Sequence, residues 1–397
     1  MNKDSRLCTA CGACGYLSHG KITYQRTARS YEPRANASLT ADEQNDIERV
    51  CPAKGYDIIR LGKDFKTADY DYRIGYYEQF FALKSTNERV CAQASSGGVM
   101  TTLPMVLLQK GLVDGVVATT YRYEGTLVEP ETLIVTKAED LYKCQGSKYM
   151  PIPTLQVLEK VKRFQGKVAY IGTPCQIAAI RNIQQDDAVL KEKIAYCIGN
   201  FCGGFRDLRE QRALINKAGV THLTHFQYRG NGQPGYMRIV GDGKEWKYPY
   251  PNYGKLTGYL KKYRCRVCVD ATAELADIAC GDAWIPEYRN KGWSLVIVRN
   301  KALLPVIEEM VSQGLLTKEA VTLDQLTASQ RGNLTSKKER YLSWRKLFKL
   351  LRKPLPEYDG GWNEHCKYST AFEAKVYCSE IFKYIMYKLH LLKFIRK

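Results

Sequence analysis

The stretch VAYIGTPCQIAAIRN (168–182) joins a short apolar run to a helical stretch through a Thr-Pro-Cys turn. A short apolar run bounded by glycine is typical of a buried strand, and proline is typical of the first turn of a helix. Thr173 can cap that helix, which places Cys175 in its first turn, where the helix dipole favours a thiolate. The stretch therefore predicts a strand–helix unit of an α/β protein with a cysteine at the carboxyl end of the strand.

The same alternation of apolar runs and helical stretches recurs along the middle of the chain. Further strand-like runs are VDGVVATTY (113–121), IAYCIG (194–199) and SLVIVRN (294–300), and a helical stretch, ALLPVIEEMVSQG, follows the last of them. Strands that alternate with helices favour a largely parallel sheet with helices on its faces.

Cysteine content and the start of the chain indicate the cellular compartment. The 397 residues include fourteen cysteines, and the chain opens with MNKDSRLCTACGAC, which is unlike a signal peptide. No apolar run is long enough to span a bilayer. We therefore expect a cytoplasmic protein whose cysteines serve metal binding or catalysis rather than disulfides.

The first cysteine cluster has the spacing of an iron–sulfur site. Cys8, Cys11 and Cys14 are each three residues apart, and Cys51 follows far downstream, directly before a proline. Ferredoxins of the bacterial type hold a cubane cluster with three closely spaced cysteines and a remote Cys-Pro. The alternative is a zinc site, although zinc usually takes paired C-x2-C knuckles. The spacing therefore favours one 4Fe-4S cluster in this segment.

A second set of cysteines is spread over the middle of the chain. Cys265 and Cys268 form a C-x2-C pair, which by itself is compatible with zinc, a redox dithiol or a cluster. Cys175 and Cys202 (in NFCGG, 200–204) each follow a predicted strand, and loops at the carboxyl ends of parallel strands converge on one crevice. The four can therefore form a second 4Fe-4S set. Alternatively, Cys175 and Cys202 are buried apolar cysteines.

Taken together, the motifs resemble the beta subunit of coenzyme F-420-reducing hydrogenases and dehydrogenases. The resemblance covers roughly residues 5 to 300 and rests on motifs in family order: CTACGAC, SSGG (95–98), GSKY (146–149), GTPCQ, FCGG, CRVC and DIACGDAW (277–284). Patterning along the chain divides it into residues 1–65, residues 66–330 and a basic helical tail at 331–397, which lies outside the resemblance. The resemblance implies an α/β protein in which the first segment is a small ferredoxin-like α+β domain and the second is a mixed α/β flavin and iron–sulfur catalytic domain. It also implies FAD and two 4Fe-4S clusters, the second held by Cys175, Cys202, Cys265 and Cys268.

The resemblance also implies the residues around the flavin. They are Ser95, Ser96, Gly97, Gly98, Ser147, Lys148 and Tyr149. Small residues at a helix start suit a pyrophosphate, and Lys148 is the candidate catalytic residue, either neutralising a phosphate or stabilising a reduced flavin anion. Read without the resemblance, SSGG is a plain turn. Asp277 and Asp282 either position the site or act as loop acids, and Cys197 and Cys280 are expected to be structural.

The tail is strongly basic. Residues 331–397 contain 16 Lys and Arg against 6 Asp and Glu, and the whole chain has a net charge of +19. At its end, one helical face carries apolar residues, namely Tyr377, Ile381, Ile385, Leu392 and Ile395. Such a helix can make peripheral membrane contact or pack on the body or a partner, and nucleic-acid binding is not expected as the main function.

The expected function is that of an iron–sulfur flavoprotein oxidoreductase. Electrons would pass between a ferredoxin-like donor or partner subunit, the clusters and FAD, with two-electron chemistry on a deazaflavin or other small-molecule acceptor. The alternative is a non-catalytic electron-transfer subunit of a larger complex, with polysaccharide biosynthesis as a setting suggested by bacterial proteins of this kind.

Overall fold

The computed structural model describes residues 5–67, 69–250 and 258–389. The strands are β1 (Ile22–Arg26), β2 (Tyr31–Ala35), β3 (Gly55–Tyr56), β4 (Asp69–Asp71), β5 (Gly75–Tyr77), β6 (Gln79–Ser85), β7 (Gly115–Glu124), β8 (Leu127–Val135), β9 (Val168–Gly172), β10 (Ile194–Asn200), β11 (Leu223–Gly230), β12 (Tyr236–Gly241), β13 (Lys244–Pro249), β14 (Ile278–Asp282), β15 (Ser294–Val298), β16 (Leu316–Ala320) and β17 (Glu357–Tyr358). The α-helices are α1 (Ala13–Leu17), α2 (Ala41–Val50), α3 (Ile58–Gly62), α4 (Glu88–Gln93), α5 (Val99–Gln109), α6 (Leu158–Arg163), α7 (Pro174–Ile183), α8 (Ala188–Lys193), α9 (Leu208–Ala218), α10 (Tyr263–Arg266), α11 (Leu303–Ser312), α12 (Leu323–Ser329), α13 (Arg331–Leu334), α14 (Tyr341–Leu350) and α15 (Thr370–Lys388).

The centre of the molecule is an eight-stranded mixed sheet in the order β16-β6-β15-β14-β10-β9-β7-β8. Its four middle strands, β14, β10, β9 and β7, are parallel to one another. The strands outside them pair in antiparallel fashion. The predicted mixed α/β fold is confirmed.

The expectation of a largely parallel sheet was wrong for SLVIVRN. This run forms β15, as predicted, but it pairs antiparallel with β14 and with β6. The connection from β14 to β15 spans only residues 283–293. A short connection lets the chain turn back beside the strand it has left, whereas a parallel neighbour needs a crossover, usually through a helix.

Helices cover both faces of this sheet, as its apolar strands require. On one face, α7 buries Ile177 and Ile180 against the first apolar core. On the other face, α5 and α11 contribute Leu103 and Met310 to a second core. The strand–helix unit predicted at 168–182 therefore forms β9 and α7, with Thr173 in a capping box at the helix start.

The N-terminal segment is a β1–β2 hairpin between short helices, and it packs directly on the body. The first apolar core joins Cys11 and Val50 from this segment with Tyr170 of the sheet and Trp344 of the tail. One continuous apolar core thus includes residues from both sides of positions 65 and 330. The proposed domain boundaries at these positions stay a prediction.

Much of the tail is built into the body. Lys337 and Lys338 are buried, as are Trp344 and Trp362. Strand β17 pairs in parallel with β3 of the N-terminal segment. Of the described residues, no helix combines the length and the apolar character needed to cross a membrane.

The last helix, α15, has two different faces. Tyr377 packs against the first core, whereas Ile381 and Ile385 are exposed. The predicted apolar positions Leu392 and Ile395 lie outside the described residues. Membrane contact through this helix stays a prediction.

Candidate functional site

A cavity of about 570 Å³ opens at the carboxyl ends of the parallel strands. Gly172 of β9, Asn200 of β10 and Asp282 of β14 all line it. A cavity of this size at this edge of an α/β sheet is the usual place for a small-molecule or cofactor site.

Six of the seven residues predicted around a flavin line this cavity. They are Ser95, Ser96, Gly98, Ser147, Lys148 and Tyr149. Gly97 instead packs between β6 and β15, where a Cβ would lie 2.4 Å from the Leu83 carbonyl oxygen and 2.6 Å from the Ser294 nitrogen. The structure therefore favours a packing role for Gly97 over the predicted close approach to a pyrophosphate.

The Ser-Ser-Gly-Gly turn is held in place by its own hydroxyl groups. Ser95 Oγ donates to the Arg229 carbonyl at 2.9 Å, and Ser96 Oγ donates to the Trp293 carbonyl at 2.8 Å. Helix α5 then starts at Val99 after Gly98 as its N-cap, and its first residues, Val99 and Met100, line the cavity. The free N–H groups of a helix start at a cavity wall can bind an anion.

Lys148 organises the neighbouring loop. Its ammonium group donates to the carbonyl oxygens of Cys144, Gln145 and Gly146 at 2.8, 3.4 and 3.0 Å, and it lies 5.3 Å from the centre of the Tyr121 ring. Burial lowers the pKa of Lys148 to about 8. Since an ammonium has three protons to donate, these carbonyls can occupy all of them.

The cavity lining also contains an ion pair that no sequence motif indicated. Arg229 donates to both carboxylate oxygens of Asp282 at 2.6 and 2.9 Å and to the Ser95 carbonyl at 2.7 Å. Its guanidinium also lies 4.3 Å from the centre of the Tyr250 ring. No sequence motif marks Arg229, which lies in β11, a strand that was not predicted, whereas Asp282 belongs to the DIACGDAW motif.

The sequence assigns no definite role at the site to Asp277, Cys197 or Cys280, and the structure shows where each of them lies. Asp277 accepts hydrogen bonds from Arg181, from the Cys197 backbone and from Asn300, so its role is structural. Cys197 lies in the first core. Cys280, which is also expected to be structural, is buried in the second core and borders the cavity.

The second cysteine set lies beside the cavity. Gly172 and Thr173, just before Cys175, and Gly203 and Gly204, just after Cys202, all line it. Burial raises the pKa of Cys175 to about 12, and the nearby thiols of Cys202, Cys268 and Cys265 contribute to this rise. The structure thus brings together four cysteines from three separate segments of the chain: the first turn of α7, the residues after β10, and α10 with the residues that follow it.

Backbone geometry and cations support these thiols. The Gly204 N–H donates to Cys202 Sγ at 3.3 Å. Gly204 has a φ of +106°, and a Cβ at this position would lie only 2.7 Å from Cys265 Cβ. Burial would raise the pKa of Cys268, but the cations of Lys337 and Arg264 outweigh it, and the pKa is lowered.

The first cysteine set lies under the N-terminal hairpin. Burial raises the pKa of each of its thiols, and neighbouring cysteines of the set raise three of them further: Cys8, Cys11 and Cys14. The Ala10 N–H donates to the Sγ of Cys8 at 3.3 Å. A Cβ at Gly12, which has a φ of +103°, would lie 2.8 Å from the Leu155 and Gln156 nitrogens.

The two sets are neighbours in space. Arg264, which precedes Cys265, donates to the Pro52 carbonyl at 2.6 Å, directly after Cys51. Cys175 is close enough to Cys11 for its charge to raise the pKa of the Cys11 thiol.

Within the part of the chain that the structure describes, no group of three or more His, Cys, Asp or Glu side chains is arranged to hold a single metal ion.

Comparisons with known families identify most of the central body. The family model of the coenzyme F420 hydrogenase/dehydrogenase beta subunit matches with its N-terminal part at residues 80–159 and with its C-terminal part at residues 165–323. These two ranges include the cavity segments and all four cysteines of the second set.

Several similar proteins are named for coenzyme F420. The coenzyme F420-dependent sulfite reductase of Methanocaldococcus jannaschii is 26% identical over 343 residues, which is 81% of this chain but only 48% of that protein. The coenzyme F420 hydrogenase subunit beta of Methanococcus voltae is 27% identical over 253 residues, covering 61% of this chain and 84% of that subunit.

A solved structure has the same fold. A chain of the F420-reducing [NiFe] hydrogenase complex from Methanosarcina barkeri matches with a TM-score of 0.57 at 21% identity. The match covers 72% of this chain and 98% of that one.

Proposed function

Because the chain belongs to the coenzyme F420 hydrogenase/dehydrogenase beta-subunit family, we propose that it is an iron–sulfur flavoprotein oxidoreductase. It would pass electrons between a ferredoxin-like donor or partner subunit, two 4Fe-4S clusters and FAD, and act on a deazaflavin or other small acceptor. Relatives named for coenzyme F420 support the deazaflavin.

The observation that carries this proposal is the adjacency of the cavity and the second cysteine set. The same wall contains Thr173, two residues before Cys175, and Gly203, next to Cys202. FAD bound in the cavity would exchange single electrons with a cluster and a hydride with an acceptor. An electron carrier in the cavity would therefore lie beside the proposed cluster ligands.

The cavity walls supply groups that suit FAD. The start of α5 can bind the pyrophosphate through backbone N–H groups, and Lys148 holds the loop at residues 144–146 in shape. The Arg229–Asp282 pair and the Tyr250 ring form a polar and aromatic wall that can orient the rest of the cofactor.

The cysteine sets suit clusters. Cys8, Cys11, Cys14 and Cys51 would hold the first, and Cys175, Cys202, Cys265 and Cys268 the second. Backbone N–H groups donate to a sulfur in each set, from Ala10 in the first and Gly204 in the second. Such N–H···S bonds stabilise thiolate charge, as cluster ligation requires.

A second candidate function is that of an electron-transfer subunit that acts only within a larger complex. The relative named as a hydrogenase beta subunit favours it, because that name describes one part of an assembly. In this case the isolated chain would bind its cofactors but turn over no small acceptor.

Anaerobic purification followed by iron, sulfide and flavin analysis tests the proposal. We expect about eight irons and one FAD per chain. Reduction of coenzyme F420 by the isolated, reduced protein would support the enzyme, and its absence with full cofactor content would support the subunit. A colourless, zinc-containing protein would contradict both.

A further inference from the structure

A buried lysine from the C-terminal segment reaches the second cysteine set. Lys337 lies in a single π-helical turn, Thr335–Glu339, beyond the residues matched by the family models. It is 2% exposed, and its ammonium nitrogen lies 3.6 Å from Cys268 Sγ and 2.5 Å from the Asp270 carbonyl oxygen. A buried ammonium is costly unless it has such partners, so these contacts fix its position.

The next residue, Lys338, is also buried but is satisfied differently. It pairs with the Glu274 carboxylate at 2.8 Å and lies 4.0 Å from the centre of the Trp362 ring. The adjacent lysines thus have separate roles in the fold. Lys338 closes a buried ion pair, whereas Lys337 directs its charge at a cysteine sulfur.

We propose that Lys337 is a positioning residue for the second cluster, which it holds through an N–H···S hydrogen bond to Cys268 and whose reduced form it stabilises. The inference rests on the proposed function, because it requires a cluster on these cysteines. A cluster gains negative charge on reduction, and a fixed cation beside a ligand sulfur favours the more negative state. The C-terminal segment would therefore set the redox potential of a centre located in the family module.

The test uses the full chain, reconstituted anaerobically, in a Cys11→Ser background that leaves the second cluster alone. Lys337→Met should retain iron but shift the midpoint potential of the cluster downward in an EPR-monitored titration. At a fixed potential, we expect an order-of-magnitude fall in the ratio of reduced to oxidised cluster, as for loss of one charged hydrogen bond. Lys346→Met, which removes an exposed lysine of α14, is the matched control and should leave the potential unchanged.

Lys337→Arg keeps the charge and should keep the potential near that of the parent. If Lys337→Met does not fold, the test rests on Lys337→Arg. A folded, iron-loaded Lys337→Arg protein with a clearly lowered midpoint potential would overturn the inference. An unmoved potential in Lys337→Met with iron retained would overturn it as well. Absence of iron from the Cys11→Ser parent would instead remove the proposed function, and the inference with it.

Discussion

The two cysteine sets differ in how their members are spaced along the sequence. Three members of the first set fall within residues 8–14, whereas the second set comes from three segments spread over residues 175–268. The first lies outside the regions matched by the family models, and the second lies inside them. A compact motif therefore specifies its site locally, but a dispersed set depends on the sheet that brings its segments together.

Trp362 tests whether the two sets are independent at all. It is 1% exposed and packs against Tyr358 of β17, the strand that pairs with β3 shortly after Cys51 of the first set. Its ring also lies 4.0 Å from the ammonium of Lys338, the neighbour of Lys337 at the second set. Trp362→Ala should lower the free energy of unfolding by about 3–5 kcal/mol and reduce the iron content of both sets together. Denaturant unfolding and iron analysis would show this, with Leu350→Ala, at a 77% exposed residue, as a near-neutral control.

Single ligand changes should then separate the sets. Cys11→Ser and Cys175→Ser should each remove about four irons per chain. FAD should remain after Cys11→Ser, whereas Cys175→Ser should also weaken FAD binding, because Thr173 lines the cavity. Iron and flavin analysis of both variants measures this. Equal flavin loss from the two would show that the sets are not separable.

Two glycines allow a finer comparison of the sets. Alanine at Gly12 would place a Cβ against backbone atoms of Leu155 and Gln156, whereas at Gly204 it would meet side-chain atoms of Cys265 and Lys261. Both positions have positive φ, so each substitution should cost about 1–3 kcal/mol. Since backbone cannot move aside, Gly12→Ala should cost more stability than Gly204→Ala in thermal unfolding. The reverse order would contradict this packing argument.

The smallest expected effect is at Lys148, which lines the cavity beside the second set. Lys148→Met removes the donor to three loop carbonyls, so FAD affinity should fall on the order of tenfold while the flavin potential stays unchanged. Because the pKa of Lys148 is about 8, the charged form that holds the loop is lost as pH rises through 8. The native protein should therefore bind FAD more weakly at a pH of about 9 than at about 7, as followed by fluorescence titration. Lys148→Met should lack that pH dependence, and a lowered flavin potential in this variant would point to the reduced flavin as its partner.

Local patterns predicted much of the fold. VAYIG and IAYCIG are parallel neighbours in the sheet, and GTPCQ starts a capped helix, because short apolar runs and capping residues act over a few positions. The direction of SLVIVRN could not be predicted, since it depends on the connection before it. The antiparallel β11–β13 meander was also not identified.

The parts of the site that lie in sequence motifs could be predicted, and the parts outside such motifs could not. The motifs indicated the cavity segments and both cysteine sets, whereas no motif indicated Arg229 or Lys337. A lysine in the run SKKER is usually solvated, and only the long-range packing of the tail shows that Lys337 is buried. Charge patterns describe a surface, so they cannot identify a cation enclosed by distant segments.

The pairing of β17 with β3 has a consequence for synthesis on the ribosome. The Glu357 N–H donates to the Lys54 carbonyl, close to Cys51, so a late-translated part of the chain closes over the region around the first cysteines to emerge. Chains are made from the amino end at about 5–20 residues per second, which leaves those thiols uncovered for tens of seconds. The cover over the region around Cys51 thus forms only after residues 357–358 have been synthesised, and a product truncated before them would lack it.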